Sequence, residues 1–241
     1  MRKINLEQEK KFENSKISNT LIRSSQSKFY WATELSIETH NKNVLRKIIN
    51  AEILEIGCSN GLDALTYTKF SKTYFGIDIS DKAIKIASDR NLKNSRFICT
   101  DGHILPFNNS KFDFVIVNSL LHHLDLDVCL PEISRVLKDK GELIFREPLG
   151  TNLIFQLYRW LTPQARTIDE RPFTFSDISK MKKNFNLVDV NWFGFTSILS
   201  SFVKVKLFRE ILMKIDFLLS QTPAKFFFWQ FCGFAKKVKK N

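Results

Sequence analysis

The stretch Ile53-Leu54-Glu55-Ile56-Gly57-Cys58-Ser59-Asn60-Gly61 constrains the fold more than any other part of the chain. A short run of strand pattern enters a turn with two glycines, and a helical pattern follows from Leu62 to Phe70. Glycine has no Cβ, so such a turn lets the backbone approach a ligand closely. The helix that follows aims free N–H groups at the same point.

The alternation then repeats. Thr73–Asp78 reads as a second strand, ending in an acid about twenty residues after the turn, where a carboxylate accepts ribose hydroxyls. Arg96–Cys99 is a third, followed by Thr100-Asp101-Gly102, and Phe112–Val117 a fourth, followed by Asn118-Ser-Leu-Leu-His122-His123. Ser80 is placed to cap a helix, as are Asp125 and Asp127 for the next one, which Gly141 ends before a fifth strand, Glu142–Arg146. Strands alternating with helices imply a parallel sheet covered on both faces. Polar residues just past the carboxyl ends of successive strands mark the edge where such sheets bind ligands.

Glu55-x-Gly57-x-x-x-Gly61, Gly76-Ile77-Asp78, Asp101-Gly102 and Phe112-Asp-Phe-Val-Ile116, in this order, resemble the class I S-adenosylmethionine-dependent methyltransferases, and among them the ubiquinone/menaquinone-type small-molecule enzymes. The likeness covers roughly Ala51 to Pro148. It implies a Rossmann-like, mostly parallel seven-stranded sheet with helices on both faces, an antiparallel last strand and helical cap insertions. It also implies S-adenosylmethionine as cofactor.

Residue by residue, the resemblance gives Glu55, Gly57, Cys58 and Gly61 to the turn at the cofactor's amino-acid end. Asp78 takes the ribose hydroxyls, Asp101 and Gly102 the adenine, and Asn118 the neighbourhood of the sulfonium, with Ile79 and Leu120 as walls. For an oxygen acceptor a base must remove a proton, and a histidine titrating near neutrality suits that task. His123, His122 and Glu147 are the candidates, with His123 favoured because two adjacent side chains are not expected to face one site.

Residues 1–50 read as a helical cap, with Leu21, Ile22, Phe29, Tyr30 and Trp31 among its apolar positions, ahead of a methyltransferase domain over 51–241. Within that domain, 149–175 reads as a cap insertion carrying Tyr158, Arg166 and Arg171 as candidate acceptor contacts, the arginines for a phosphate or carboxylate. Ser176 is placed to cap a helix, Leu187–Phe193 alternates like a sixth strand, residues 199–219 hold an amphipathic helix, and Phe226–Phe234 reads as the last strand.

The four cysteines lie without CxxC spacing, which argues against zinc and against a disulfide framework, and no cluster of metal ligands is visible. The charged, acid-containing first residues differ from a targeting peptide, and the longest uncharged run, Val190–Val203, is too short to span a bilayer. A cytoplasmic setting follows.

The net charge of +12 divides into +5 on residues 1–50, −2 on 51–150, +2 on 151–199 and +7 on 200–241. A basic end beside an amphipathic helix suits an anionic membrane surface. The leading expectation is therefore methyl transfer to a small molecule, such as a sugar, isoprenoid or other intermediate. The alternatives are the same chemistry on a lipid-like acceptor at a membrane, or an NAD-dependent oxidoreductase, since the turn and Asp78 also serve NAD. With no zinc module and no Asn-Pro-Pro-Tyr after the fourth strand, a nucleic-acid substrate is disfavoured.

Overall fold

A computed structural model describes residues 5–18, 30–163, 167, 170–203 and 205–238, with the side chains of Ser18, 30–33, Tyr158 and Ser201 left aside. Leu21, Ile22, Phe29, Arg166, Lys239 and Lys240 therefore lie outside the described residues, as do the side chains of Tyr30, Trp31 and Tyr158. The strands are β1 (Glu52–Ile56), β2 (Thr73–Asp78), β3 (Ser95–Cys99), β4 (Phe112–Asn118), β5 (Leu137–Pro148), β6 (Phe185–Phe193) and β7 (Gln230–Lys237). They form one sheet in the order β3-β2-β1-β4-β5-β7-β6. The first five are parallel, and β7 runs antiparallel to both β5 and β6. β6 consequently points the same way as β5, and its last residue, Phe193, reaches the edge that also carries Asp78 and Asn118.

Alternate residues of each strand feed the two faces. Leu54 and Ile56 join a core with Val117, Leu143 and Phe231, while Ile53 joins a second with Val44, Ile48 and Tyr74. Apolar burial on both faces is the main force holding these layers together.

The helices are α1 (Leu6–Ser18), α2 (Tyr30–Lys47), α3 (Ala64–Tyr67), α4 (Asp81–Asp89), α5 (Leu126–Val136), α6 (Leu153–Leu161), α7 (Phe175–Asn184) and α8 (Lys206–Ser220). The helix after the glycine turn is thus a single turn, shorter than its sequence pattern. Ser80 accepts from Ala83 N and Asp125 from Asp127 N, so both expected caps form.

Three local expectations change. Thr174, not Ser176, caps α7, in a reciprocal capping box with Asp177. Gly141 does not end a helix; it lies inside β5 at a register shift against β4, where a Cβ would stand 3.0 Å from Lys138 O. The last strand begins only at Gln230, because Pro223–Phe227 forms a 3₁₀ turn.

α1 crosses the functional edge of the sheet. Its Lys10 and Asn14 bind Asp81 at the start of α4, and its Glu9 accepts from Thr167 Oγ1 at 2.7 Å. α6 leans instead on the 3₁₀ turn Ser197–Ser201 and Trp229, through Ile154 and Phe155. Among the described residues no helix is long and apolar enough to cross a membrane.

Candidate functional site

A cavity of about 180 Å³ opens at the carboxyl ends of β1, β2 and β4, with Leu6, Glu9, Glu13 and Lys16 of α1 across its mouth. Gly57 forms its floor in the left-handed region, φ +79°, and a Cβ there would meet Leu120 Cδ2 at 2.9 Å. That is a close approach only glycine allows. Gly61, also left-handed, serves packing: its Cβ would meet Ala87 Cβ at 3.0 Å. Ser59 holds φ +47° at the position where a further glycine would be at ease.

Asp78 lines the cavity and accepts Ser59 N at 2.9 Å on one oxygen and Ser80 N at 2.8 Å on the other. Burial pushes its carboxyl up, and these bonds partly offset that. A carboxylate's two oxygens are suited to accept the two O–H groups that a vicinal diol donates.

Asp101 stands across the cavity. Its Oδ1 lies 2.6 Å from His103 Nδ1 and accepts His103 N at 3.0 Å. Because His103 Nε2 accepts Asp125 N at 2.8 Å, the His103 proton is on Nδ1. Burial raises Asp101's pKa, but the His103 bonds prevail and hold it below the ordinary value. His103 escaped the sequence reading, although its place two residues after Asp101 is the visible signal. Gly102, Ile79 and Leu120 also line the cavity, as does Asn118, whose Oδ1 accepts Arg146 Nε at 2.8 Å.

Two turn residues point elsewhere. Glu55 is buried on the opposite face, where Tyr74 Oη donates to it at 2.5 Å, and burial with nearby Asp63 pushes its carboxyl up to about 8. Cys58 packs its sulfur on Gly76, and burial pushes the thiol up. Both were expected at the ligand; the alternation of β1 and the tight turn direct them into the sheet layer instead.

His122 and Glu147 form one buried unit. His122 Nδ1 lies 2.7 Å from Glu147 Oε2, and Glu147 Oε1 accepts Leu120 N and Leu121 N. Burial pushes Glu147 up to about 7 and His122 well below the usual imidazole value. Neither lines the cavity.

His123 does line it, with Nδ1 2.9 Å from Glu9 Oε1 and Nε2 4.0 Å from Glu170 Oε2. Burial draws its pKa down, yet Glu9 and Glu170 outweigh that and hold it above the ordinary value. Glu170, unforeseen from the sequence, is itself anchored by Arg159 Nη1 at 2.7 Å.

One ligand-type atom each from His122, His123 and Glu170 lies within 4.8 Å of the others. The expectation that no such cluster forms is therefore corrected: the 3₁₀ turn Leu121–His123 sets the two rings 4.2 Å apart, although only His123 lines the cavity, as expected of adjacent side chains. Arg159 and Lys16 both act on the His122 imidazole, and Lys16 on that of His123, so the group already faces two cations.

Of the acceptor candidates, Arg171 is committed elsewhere. Its guanidinium grips Asp177 through two hydrogen bonds at the start of α7, which leaves little of its fork for a substrate anion.

The family model described as "Methyltransferase domain" matches residues 54–145. The ubiquinone biosynthesis O-methyltransferase of Pelagibacter ubique is 28% identical over 167 residues, covering 59% of this chain and 69% of that protein. The phthiotriol/phenolphthiotriol dimycocerosates methyltransferase 1 of Mycobacterium ulcerans is 28% identical over 151 residues, covering 58% and 55%. The chain spans about half the length of the first curated relatives it matches. In fold it is similar to the geranyl diphosphate C-methyltransferase of Streptomyces coelicolor, with TM-score 0.63, 12% identity and coverage of 85% of this chain and 81% of that one.

Proposed function

Because residues 54–145 make this chain a member of the class I S-adenosylmethionine-dependent methyltransferase family, we propose that it moves the cofactor's methyl group to a hydroxyl of a small-molecule acceptor. Family membership also displaces the oxidoreductase alternative. The residues present suit the cofactor: Asp78 as acceptor for the ribose diol, Asp101 as acceptor for the adenine amine, and the Gly57 backbone for close approach. When bound, the cofactor supplies a methyl already activated by positive sulfur, so alignment of the acceptor contributes much of the rate.

The observation that carries this reading is the placement of His123. It stands at the cavity wall past β4, with Glu9 beside Nδ1 and Nε2 turned toward Glu170. There His123 would take the acceptor hydroxyl's proton while its oxygen displaces the methyl from sulfur, the carbon–sulfur bond breaking as the carbon–oxygen bond forms and S-adenosylhomocysteine leaving; Glu9 and Glu170 would steady the imidazolium that results. α1 lies across the mouth. The test is transfer of tritiated methyl to an acceptor pool: His123→Ala slows it while S-adenosylhomocysteine affinity persists. Full activity in that variant removes His123 as the base.

A lipid-like acceptor at an anionic membrane is a second reading, favoured by exposed apolar side chains on α6, α8 and the turns between them. Trp160 is 76%, Phe202 69% and Phe217 68% exposed. Isolated exposed apolar residues are ordinary, but exposed aromatics on two helices that pack on the same 3₁₀ turn, Ser197–Ser201, suit an interaction surface. Residues 200–241 carry +7, and each basic group near an anionic surface adds about 1 kcal/mol. Co-sedimentation with phosphatidylglycerol vesicles at low salt supports this reading; absence of binding removes it.

A further inference from the structure

A larger cavity, about 640 Å³, lies between α2, β6 and α8. We propose that it holds the hydrocarbon tail of the methyl acceptor, an inference that rests on the methyltransferase reading above. Its volume falls within the ~300–1,000 Å³ of small-molecule sites.

The lining says what chemistry fits. Leu35 of α2, Val190, Trp192 and Phe193 of β6, and Met213 and Phe217 of α8 contribute apolar surface. Several of the polar groups among them are already engaged with protein partners. Asp216 accepts the backbone N–H groups of Phe195, Thr196 and Ser197 and the hydroxyl of Ser197. Ser200 Oγ donates to Ser197 O at 2.6 Å, and Arg209 pairs with Glu34. A polar ligand would lose its water there and gain few hydrogen bonds in return, which disfavours it. A linear apolar chain gains from the same wall.

Topology places this cavity on the reacting edge. β6 runs with β5, so Trp192 and Phe193 lie at the same edge as Asn118. Phe193 pairs with Gln230, which pairs with Pro148. Gln230 Oε1 accepts Arg146 Nη1 at 3.1 Å and also the Ser36 hydroxyl, and Arg146 Nε reaches Asn118 at 2.8 Å. From β4 to β6 is three strand spacings, about 14 Å. Phe217 and Leu218, 68% and 67% exposed, rim the cavity on the face that the second reading above turns toward a bilayer.

The experiment titrates full-length protein with dansylated undecanoic acid and, separately, with S-adenosylhomocysteine. The expected result is saturable probe binding, one per chain. Met213→Trp and Leu35→Trp, which fill the cavity, weaken the probe at least about tenfold and leave S-adenosylhomocysteine affinity within about twofold. The proposal is overturned if wild type that binds S-adenosylhomocysteine takes up no probe. It is equally overturned if a filled variant that retains S-adenosylhomocysteine binding holds the probe as tightly as wild type. Wild type that binds probe but no S-adenosylhomocysteine overturns the methyltransferase reading and, with it, the assignment of the tail to a methyl acceptor.

Discussion

His122 Nδ1 lies 2.7 Å from Glu147 Oε2, and this bond takes both residues out of the competition for the acceptor's proton. Glu147 is fully buried and already accepts two backbone N–H groups, so its carboxylate shapes the turn after β4. Glu147→Ala strands those donors, each costing about 1–3 kcal/mol. Thermal unfolding is expected to drop by several degrees, whereas Glu147→Gln, which still accepts the two N–H bonds, falls much less. Equal loss in both variants would mean that charge, not hydrogen bonding, holds the turn.

His123 must be neutral to accept a proton. Glu9 and Glu170 raise its pKa despite burial, so the rate is expected to climb with pH through a midpoint above the ordinary 6.5. Removing the base is expected to cost about 10²–10⁴ in rate. Glu170→Gln removes one of the raising charges and shifts the midpoint down; the pH dependence of kcat in both proteins reads this directly.

Gly57→Ala is expected to weaken S-adenosylhomocysteine more than it weakens the fold. The new methyl meets Leu120 at 2.9 Å, and Leu120 is itself a wall of the donor cavity. The left-handed φ adds about 1–2 kcal/mol of strain. Calorimetric titration beside thermal unfolding separates the two losses.

Glu55 provides a pH test of the layer beneath the site. Burial and Asp63 push its carboxyl from 4.5 to about 8. Between those values the unfolded chain has lost this proton and the folded chain keeps it, so the folded state binds more protons and stability falls as pH rises. Below about pH 4.5 the penalty is absent, and above about pH 8 it is complete. The slope from this group approaches about 1.4 kcal/mol per pH unit, and Glu55→Gln removes it. Denaturant midpoints across this window measure the difference.

The sheet and its ligand edge were legible because they depend on local signals. Glycines at Gly57 and Gly61, a strand-terminal Asp78 and an Asp101-Gly102 turn each follow from backbone geometry within a few residues. What depended on distant segments was not legible. Glu170 stands near His123 with Arg159 holding its carboxylate, and Glu9 reaches His123 from α1, which is tied to Asp81. Arg171 looked available for an anion until Thr174 started α7 and brought Asp177 beneath it. Cys58 and Glu55 were assigned to the ligand by their place in a motif, whereas the pleat turns them into the layer below. The cavity beside β6 depends on how β7 inserts between β5 and β6, and no short pattern encodes that.

The central claim is that one adenosyl molecule lies across the ends of β1, β2 and β4. Isothermal titration of S-adenosylhomocysteine into wild type and Asp78→Ala tests it most directly. One saturable site, weakened by about 1–3 kcal/mol in the variant as charge-assisted hydrogen bonds to the ribose are lost, is the predicted result. Absence of saturable binding to wild type, or equal affinity in the variant, would contradict it.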